Sequence, residues 1–344
     1  MSDGHDVARS PSARGPVAER SGASAAEHPA GRIPDFFIIG QPKSGTTALH
    51  DMLRRHPQIF MPESKEPWFL AEELLERTPP RPGGTASTLE EYLALFASAG
   101  PEQLVGEASP LYLWSRTAAG AIHELRPDAR IIVILREPAS LLRSLHLQFI
   151  ENYVETESDF RRAIALEDSR REGREVPRHT YWPQALMYSE QVRYVEQLRR
   201  YKDLFPDERI LILLYDDFRS DNEGTVRTIL RFIGADDAAP VQVMEANATV
   251  HVRSQRLHEL VHAVQVGRGP LSRAAKTAIK TLTPTRLRRE ALATTKAKVV
   301  YGAPRPVDEA FTEELRARFR GEVQALSEYL DRDFLTLWGY DSLE

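Results

Sequence analysis

Residues 36–47 read FFIIGQPKSGTT, and this stretch decides the fold. Four apolar residues, Phe36, Phe37, Ile38 and Ile39, run into Gly40. A polar loop follows, and then Thr46, Thr47, Ala48, Leu49 and Leu53 open a helical pattern. A short apolar run closed by glycine reads as a buried strand, and apolar residues recurring at three and four positions read as a helix. Strand, glycine-bounded loop and helix start make a phosphate cradle. The loop N–H groups and the first helical turn converge on an anion, and the helix dipole adds to the hold. Gly40 and Gly45 have the glycine spacing of a Walker A loop, whose lysine directly follows the second glycine. Here Lys43 precedes that glycine, and Thr46 stands in the lysine's place.

The same strand signal recurs at 104–107, 131–135 and 210–215. Helical patterns lie over 46–56, 89–96, 118–125, 139–152, 184–204 and 222–233. Apolar strands alternating with helices predict an α/β fold with a central, mostly parallel sheet flanked by helices, P-loop-like in character. Ligands in such folds lie beyond the carboxyl ends of the strands, where the PKSGTT loop and Arg136 both fall. Residues 77–88 form a Pro/Gly-rich loop. Residues 307–344 return to helix, with Leu326, Tyr329, Leu330, Phe334, Leu337 and Trp338 as the expected packing face.

Across 344 residues the composition is that of a globular protein, 42% hydrophobic and 28% charged, with a net charge of -5. That balance offers no global attraction for nucleic acid. The chain has no cysteine, so it has neither disulfides nor cysteine-ligated metals. No apolar run approaches the ~20 residues that span a bilayer. Residues 1–32 are polar and small, lack the apolar core of a secretory signal, and are expected to be a disordered tail. One domain over 33–344, a cytoplasmic setting and a bacterial source are the further expectations. Residues 253–298 carry eleven Lys/Arg against two Glu. They read either as a solvated charge run or as a flap that supplies cations, Arg253 and Arg256 first, to an anionic ligand.

PKSGTT after an apolar strand resembles the 5′-phosphosulfate loop of sulfotransferases that use 3′-phosphoadenosine 5′-phosphosulfate (PAPS). A second segment agrees. In IIVILREPASLLRSLHLQFI a strand ends at Arg136 and Ser144 follows eight positions later, the spacing with which the family binds the 3′-phosphate. Guanidinium offers phosphate a fork of donors, and a serine hydroxyl adds one more. A third segment, MPESKEPWFL, resembles the glycan and heparan sulfate branch of the family and its bacterial relatives, where the motif's glutamate is the general base. That residue is Glu66 here. A looser match, QALMYSEQV, puts Tyr188 near the adenine or in the core. GEASPLYLW resembles the acceptor-side segment, with Ala108 where some heparan sulfotransferases have lysine.

The resemblance implies in-line sulfuryl transfer from PAPS to an acceptor hydroxyl, with no metal. Lys43, Ser44, Gly45, Thr46 and Thr47 would hold the 5′-phosphosulfate. Arg136, Ser144, Tyr188 and Arg253 would hold the rest of the cofactor, and Lys43 and Glu66 would be the catalytic pair. Lys65, Trp68, Phe69, Tyr112, His146 and Gln148 would lie on the acceptor side, with His146 the rival base. Aromatic residues there favour a small-molecule or glycoconjugate acceptor over a polyanion. A homo-oligomer stays open. A P-loop phosphotransferase and a catalytically silent PAPS-fold binding protein are the competing readings.

Overall fold

The computed structural model describes residues 31–75, 86–178, 180, 182–243, 251–252, 301–302 and 307–341. The expected tail up to residue 30, most of the Pro/Gly-rich loop and the basic stretch with Arg253 and Arg256 lie outside the described residues. The chain divides into two compact units, Met1–Arg136 with Val195–Ala246, and Glu137–Tyr194 with Asn247–Glu344.

The first unit is built on a five-stranded sheet. Its strands are β1 (Phe36–Gly40), β2 (Ile59–Phe60), β3 (Leu104–Ala108), β4 (Arg130–Leu135) and β5 (Ile210–Leu214). The order is β2-β3-β1-β4-β5, and every pairing is parallel. β1 and the Ile131–Leu135 part of β4 are wholly buried, as continuous apolar runs require when both faces are covered. Phe36, Ile38, Ile132 and Ile134 share one face. Helices Thr46–Arg54 and Asn222–Ile233 cover it with Leu49, Met52, Leu53, Val226, Ile229 and Leu230. Gly106 lies opposite Phe36, and a Cβ on it would stand 2.2 Å from that ring. Connections leave β1 toward β2 and leave β4 toward β5, on opposite sides. The crevice at the ends of β1 and β4 is therefore the topological switch point.

The sheet differs from expectation at its two edges. β2 is a two-residue edge strand, too short for a periodic signal. β5 is the other edge and is only half-buried over four of its five residues. Tyr215, expected in that strand, instead starts the helix Tyr215–Ser220.

Among its described residues the second unit has helices and one strand pair, antiparallel, of His251–Val252 with Tyr301–Gly302. Helix Pro138–Glu151 is capped by Glu137, whose carboxylate accepts from the N–H groups of Ala139 (3.1 Å) and Ser140 (2.7 Å). Tyr340 donates to the same carboxylate at 2.7 Å. The helix expected over 184–204 is broken into Pro183–Leu186, Tyr188–Gln191 and Tyr194–Lys202. Buried Glu167 is the cause of the first break. It accepts both the N–H and the hydroxyl of Ser189, at 2.7 and 2.6 Å, and so removes an N–H that a continuous helix would use. Helix Glu309–Leu330 packs through Phe311, Leu315, Phe319, Val323 and Leu326. Of the expected packing face, Leu326, Phe334 and Trp338 are buried and Leu337 is exposed. The buried side of the long helix is set by its four-residue rows, which begin well before Leu326.

Candidate active site

The loop after β1 departs from the sheet through a register shift against β4 between Ile38 and Gly40. The Gln41 N–H still donates to the Ile134 carbonyl at 2.8 Å, and its buried side chain donates to Gln197 at 2.9 Å. Lys43 then takes φ 63 and Gly45 takes φ 79. A Cβ on Gly45 would lie 2.6 Å from the Phe218 ring, so glycine is required there for space as well as for backbone angle. Helix Thr46–Arg54 begins at Gly45 with no side-chain cap and no acidic residue in its first turn. Ser44 is fully buried, and its hydroxyl has no hydrogen-bond partner. Such a group costs about 1–3 kcal/mol until something pairs with it.

Arg136, just past the end of β4, donates from Nη1 to the Lys43 carbonyl at 2.5 Å. Its guanidinium also lies over the Tyr215 ring, 4.4 Å from the centroid. It props the left-handed turn.

Lys65 sits at the heart of the cluster. Its Nζ donates to the hydroxyls of Thr46 and Thr47, both at 3.1 Å, and to Glu66 Oε1 at 3.3 Å. Burial pulls the Lys65 ammonium below its ordinary pKa, and neighbouring Glu66 opposes that shift. Lys65 was expected on the acceptor side; its contacts join the loop's threonines to Glu66. Glu66 hangs from β3 by its N–H, which donates to the Ala108 carbonyl at 3.1 Å. Glu66 and Trp68 both have positive φ, 61 and 56. Three of the expected site residues, Lys43, Glu66 and Trp68, thus hold a conformation that costs about 1–3 kcal/mol each and is stored at functional sites.

Phe69 and Tyr112 are wholly buried. Phe69 stacks on Tyr92 at 4.8 Å, and Tyr112 hydrogen-bonds to Glu107 at 3.3 Å. They support the Lys65–Glu66 segment from behind. Glu107 is itself buried, and burial pushes its carboxyl up to about 7 against the pull of three hydroxyl donors. The GEASPLYLW run marks this glutamate in the sequence; its partner Tyr92 stands in a segment with no motif.

In the second unit, Ser144 lies on the buried side of helix Pro138–Glu151, and its hydroxyl has no hydrogen-bond partner. His146 is buried, with Nδ1 3.0 Å from the Tyr188 hydroxyl and Nε2 3.4 Å from the Ser158 carbonyl. Burial lowers its pKa. Tyr188 is wholly buried, and its hydroxyl also reaches Glu155, which is paired with Arg170 at 2.7 and 2.8 Å. Gln148 is half-buried on the same helix. Among the described residues no cluster of His, Cys, Asp or Glu could hold a metal ion, and no helix is long and apolar enough to cross a membrane.

Comparison with known proteins identifies the family. A family model described as sulfotransferase domain matches residues 33–257. The chain is 28% identical over 257 residues to carbohydrate sulfotransferase 15 of Mus musculus, covering 58% of this chain and 44% of that protein. It is 29% identical over 206 residues to heparan sulfate glucosamine 3-O-sulfotransferase 6 of Homo sapiens, covering 59% of this chain and 53% of that one. The matches thus span about half the length of these relatives. The solved structure of a sulfotransferase from Alicyclobacillus acidocaldarius is 25% identical, with a TM-score of 0.60, and covers 89% of this chain and 99% of that chain.

Proposed function

Because this chain belongs to the sulfotransferase domain family, we propose that it transfers a sulfuryl group from PAPS to an acceptor hydroxyl. One observation carries the reading. A single ammonium, Lys65 Nζ, bonds both to the threonines of the anion cradle and to Glu66. The donor end and a base for the acceptor are thereby held on one cluster.

The residues fit a phosphosulfate. An uncapped helix N-terminus and the buried, unpartnered Ser44 hydroxyl are donors in search of an acceptor. Lys43, Ser44, Gly45, Thr46 and Thr47 would hold the 5′ end. Arg136 would hold the 3′-phosphate, and the family pattern gives Ser144 the same group. The unpartnered Ser144 hydroxyl supports that assignment. When bound, PAPS supplies an activated sulfuryl group and a phosphate leaving group. Lys43, Lys65 and the threonine hydroxyls stabilise the charge that grows on the leaving oxygens. Glu66 Oε takes the proton of the acceptor hydroxyl as its oxygen bonds to sulfur. His146, with both ring nitrogens engaged inside the second unit, is the weaker base on this reading, and the buried hydrogen bonds of Tyr188 favour a packing role for it over a cofactor contact.

The acceptor we infer is a hydroxyl of a glycan or glycoside-like small molecule. The names of the relatives support the sugar class, and Ala108 in place of a cation speaks against a highly sulfated chain. The test is direct. Adenosine 3′,5′-bisphosphate should raise the melting temperature, and ATP should not. Radiolabelled sulfate should also move from PAPS onto at least one member of a panel of neutral glycosides. Stabilisation by ATP alone would place the chain among phosphotransferases. Stabilisation by the bisphosphate without any transfer would make it a binding protein.

A further inference from the structure

Behind the proposed base lies a carboxylate with no place in the transfer reaction. Glu107 on β3 is fully buried and accepts three hydroxyls: Tyr92 at 2.5 Å, Ser109 at 2.6 Å and Tyr112 at 3.3 Å. A buried acid costs free energy that an apolar side chain would not, so its presence in a sheet calls for a reason. The Tyr112 hydroxyl supplies one. While donating to Glu107, it accepts the Leu70 N–H at 3.2 Å. The segment that carries Glu66 is thus tied to β3 and its following turn at two points, Glu66 N–H to the Ala108 carbonyl and Leu70 N–H to Tyr112. Between those ties Glu66 and Trp68 keep left-handed backbone angles, which persist only where the surroundings enforce them. Tyr92 adds a third hold, with its hydroxyl on Glu107 and its ring against Phe69.

We propose that Glu107 is a positioning residue for Glu66: through the hydroxyls of Tyr92 and Tyr112 it holds residues 66–70 in the path that keeps the Glu66 carboxylate on Lys65. The inference rests on Glu66 being the base. Removing the brace should loosen that segment and slow transfer while leaving the phosphosulfate loop able to bind.

The experiment compares wild type, Glu107→Gln, Tyr112→Phe and the double variant by three measurements. These are hydrogen exchange over 64–71, calorimetric binding of adenosine 3′,5′-bisphosphate, and turnover of PAPS with water as acceptor. Exchange in 64–71 should quicken by at least about tenfold in each variant, with 36–47 unchanged. Bisphosphate affinity should stay within about twofold, and kcat should fall about tenfold or more at unchanged KM for PAPS. The double variant should be no worse than the poorer single one, because both act through one chain of contacts. If Glu107→Gln fails to fold, Tyr112→Phe, which leaves the acid two donors, carries the test. Unchanged exchange in 64–71, or affinity and kcat falling together, overturns the inference. A wild-type protein that neither binds the bisphosphate nor turns over PAPS ends the sulfotransferase reading itself. A fully active wild type beside variants with native exchange ends only the role given to Glu107.

Discussion

Glu66 and Arg136 make the sharpest demands on experiment. Glu66→Gln keeps the shape and the Lys65 contact but removes the base, so transfer should drop by about 10²–10⁴. Binding of adenosine 3′,5′-bisphosphate should survive, and calorimetry beside a radiolabel assay separates the two; a variant with native turnover would move the base elsewhere. Arg136→Ala should weaken adenosine 3′,5′-bisphosphate more than adenosine 5′-phosphate by at least about tenfold, because one charge-assisted phosphate contact contributes roughly 1.5–3 kcal/mol. Equal losses for the two nucleotides would leave Arg136 a structural role, against the Lys43 carbonyl and the Tyr215 ring. Both residues were legible in the sequence because their chemistry is written in short motifs. The Lys65 contacts to Thr46 and Thr47, and the bond from Tyr92 to Glu107, were not. They join segments whose separation in the chain gives no spacing to read.

At the level of the element, the strand–loop–helix around PKSGTT behaves as its glycines require. Gly45→Ala would need a left-handed alanine and would push a methyl group into Phe218. We expect a loss of about 1–3 kcal/mol, seen as a lower thermal midpoint, together with weaker bisphosphate binding. An unshifted midpoint would mean the turn can flip without cost. β1 and the helices over 118–125 and 222–233 were readable to the residue, since each has a continuous apolar run or a clean helical period. The broken helix after Pro183 was not, because the acceptor that interrupts it, Glu167, comes from another helix. Tyr215 was misplaced for a related reason: its aromatic ring suits a strand by propensity, but its partner is the Arg136 guanidinium.

For the whole molecule, Glu107 sets a pH dependence with a definite sign. Its carboxyl is lifted from an ordinary 4.5 to about 7 in the folded protein. Between those values the folded state keeps a proton that the unfolded chain has released. This group's contribution to stability is therefore complete below about 4.5 and lost as pH rises through about 7. The loss is on the order of 3 kcal/mol, from 1.36 kcal/mol per unit. Denaturant unfolding of wild type and Glu107→Gln at about pH 5 and pH 8 should show the wild type losing more on going up. Parallel losses in the two proteins would assign the slope to other groups.

The order in which the chain supplies the two units also matters for how it can be made. Residues 137–194 emerge from a ribosome before β5 at Ile210–Leu214 exists. For that interval the open side of β4, apolar over Ile131–Leu135, has no strand beside it. An unpaired hydrophobic edge of this kind invites pairing with a neighbouring nascent chain. Glu137 waits longer still, since the hydroxyl that completes its cap comes from Tyr340, 203 residues later. A truncation after Arg136 would therefore not isolate a domain. It would leave a sheet short of its last strand, and such a fragment should precipitate where the full chain stays in solution.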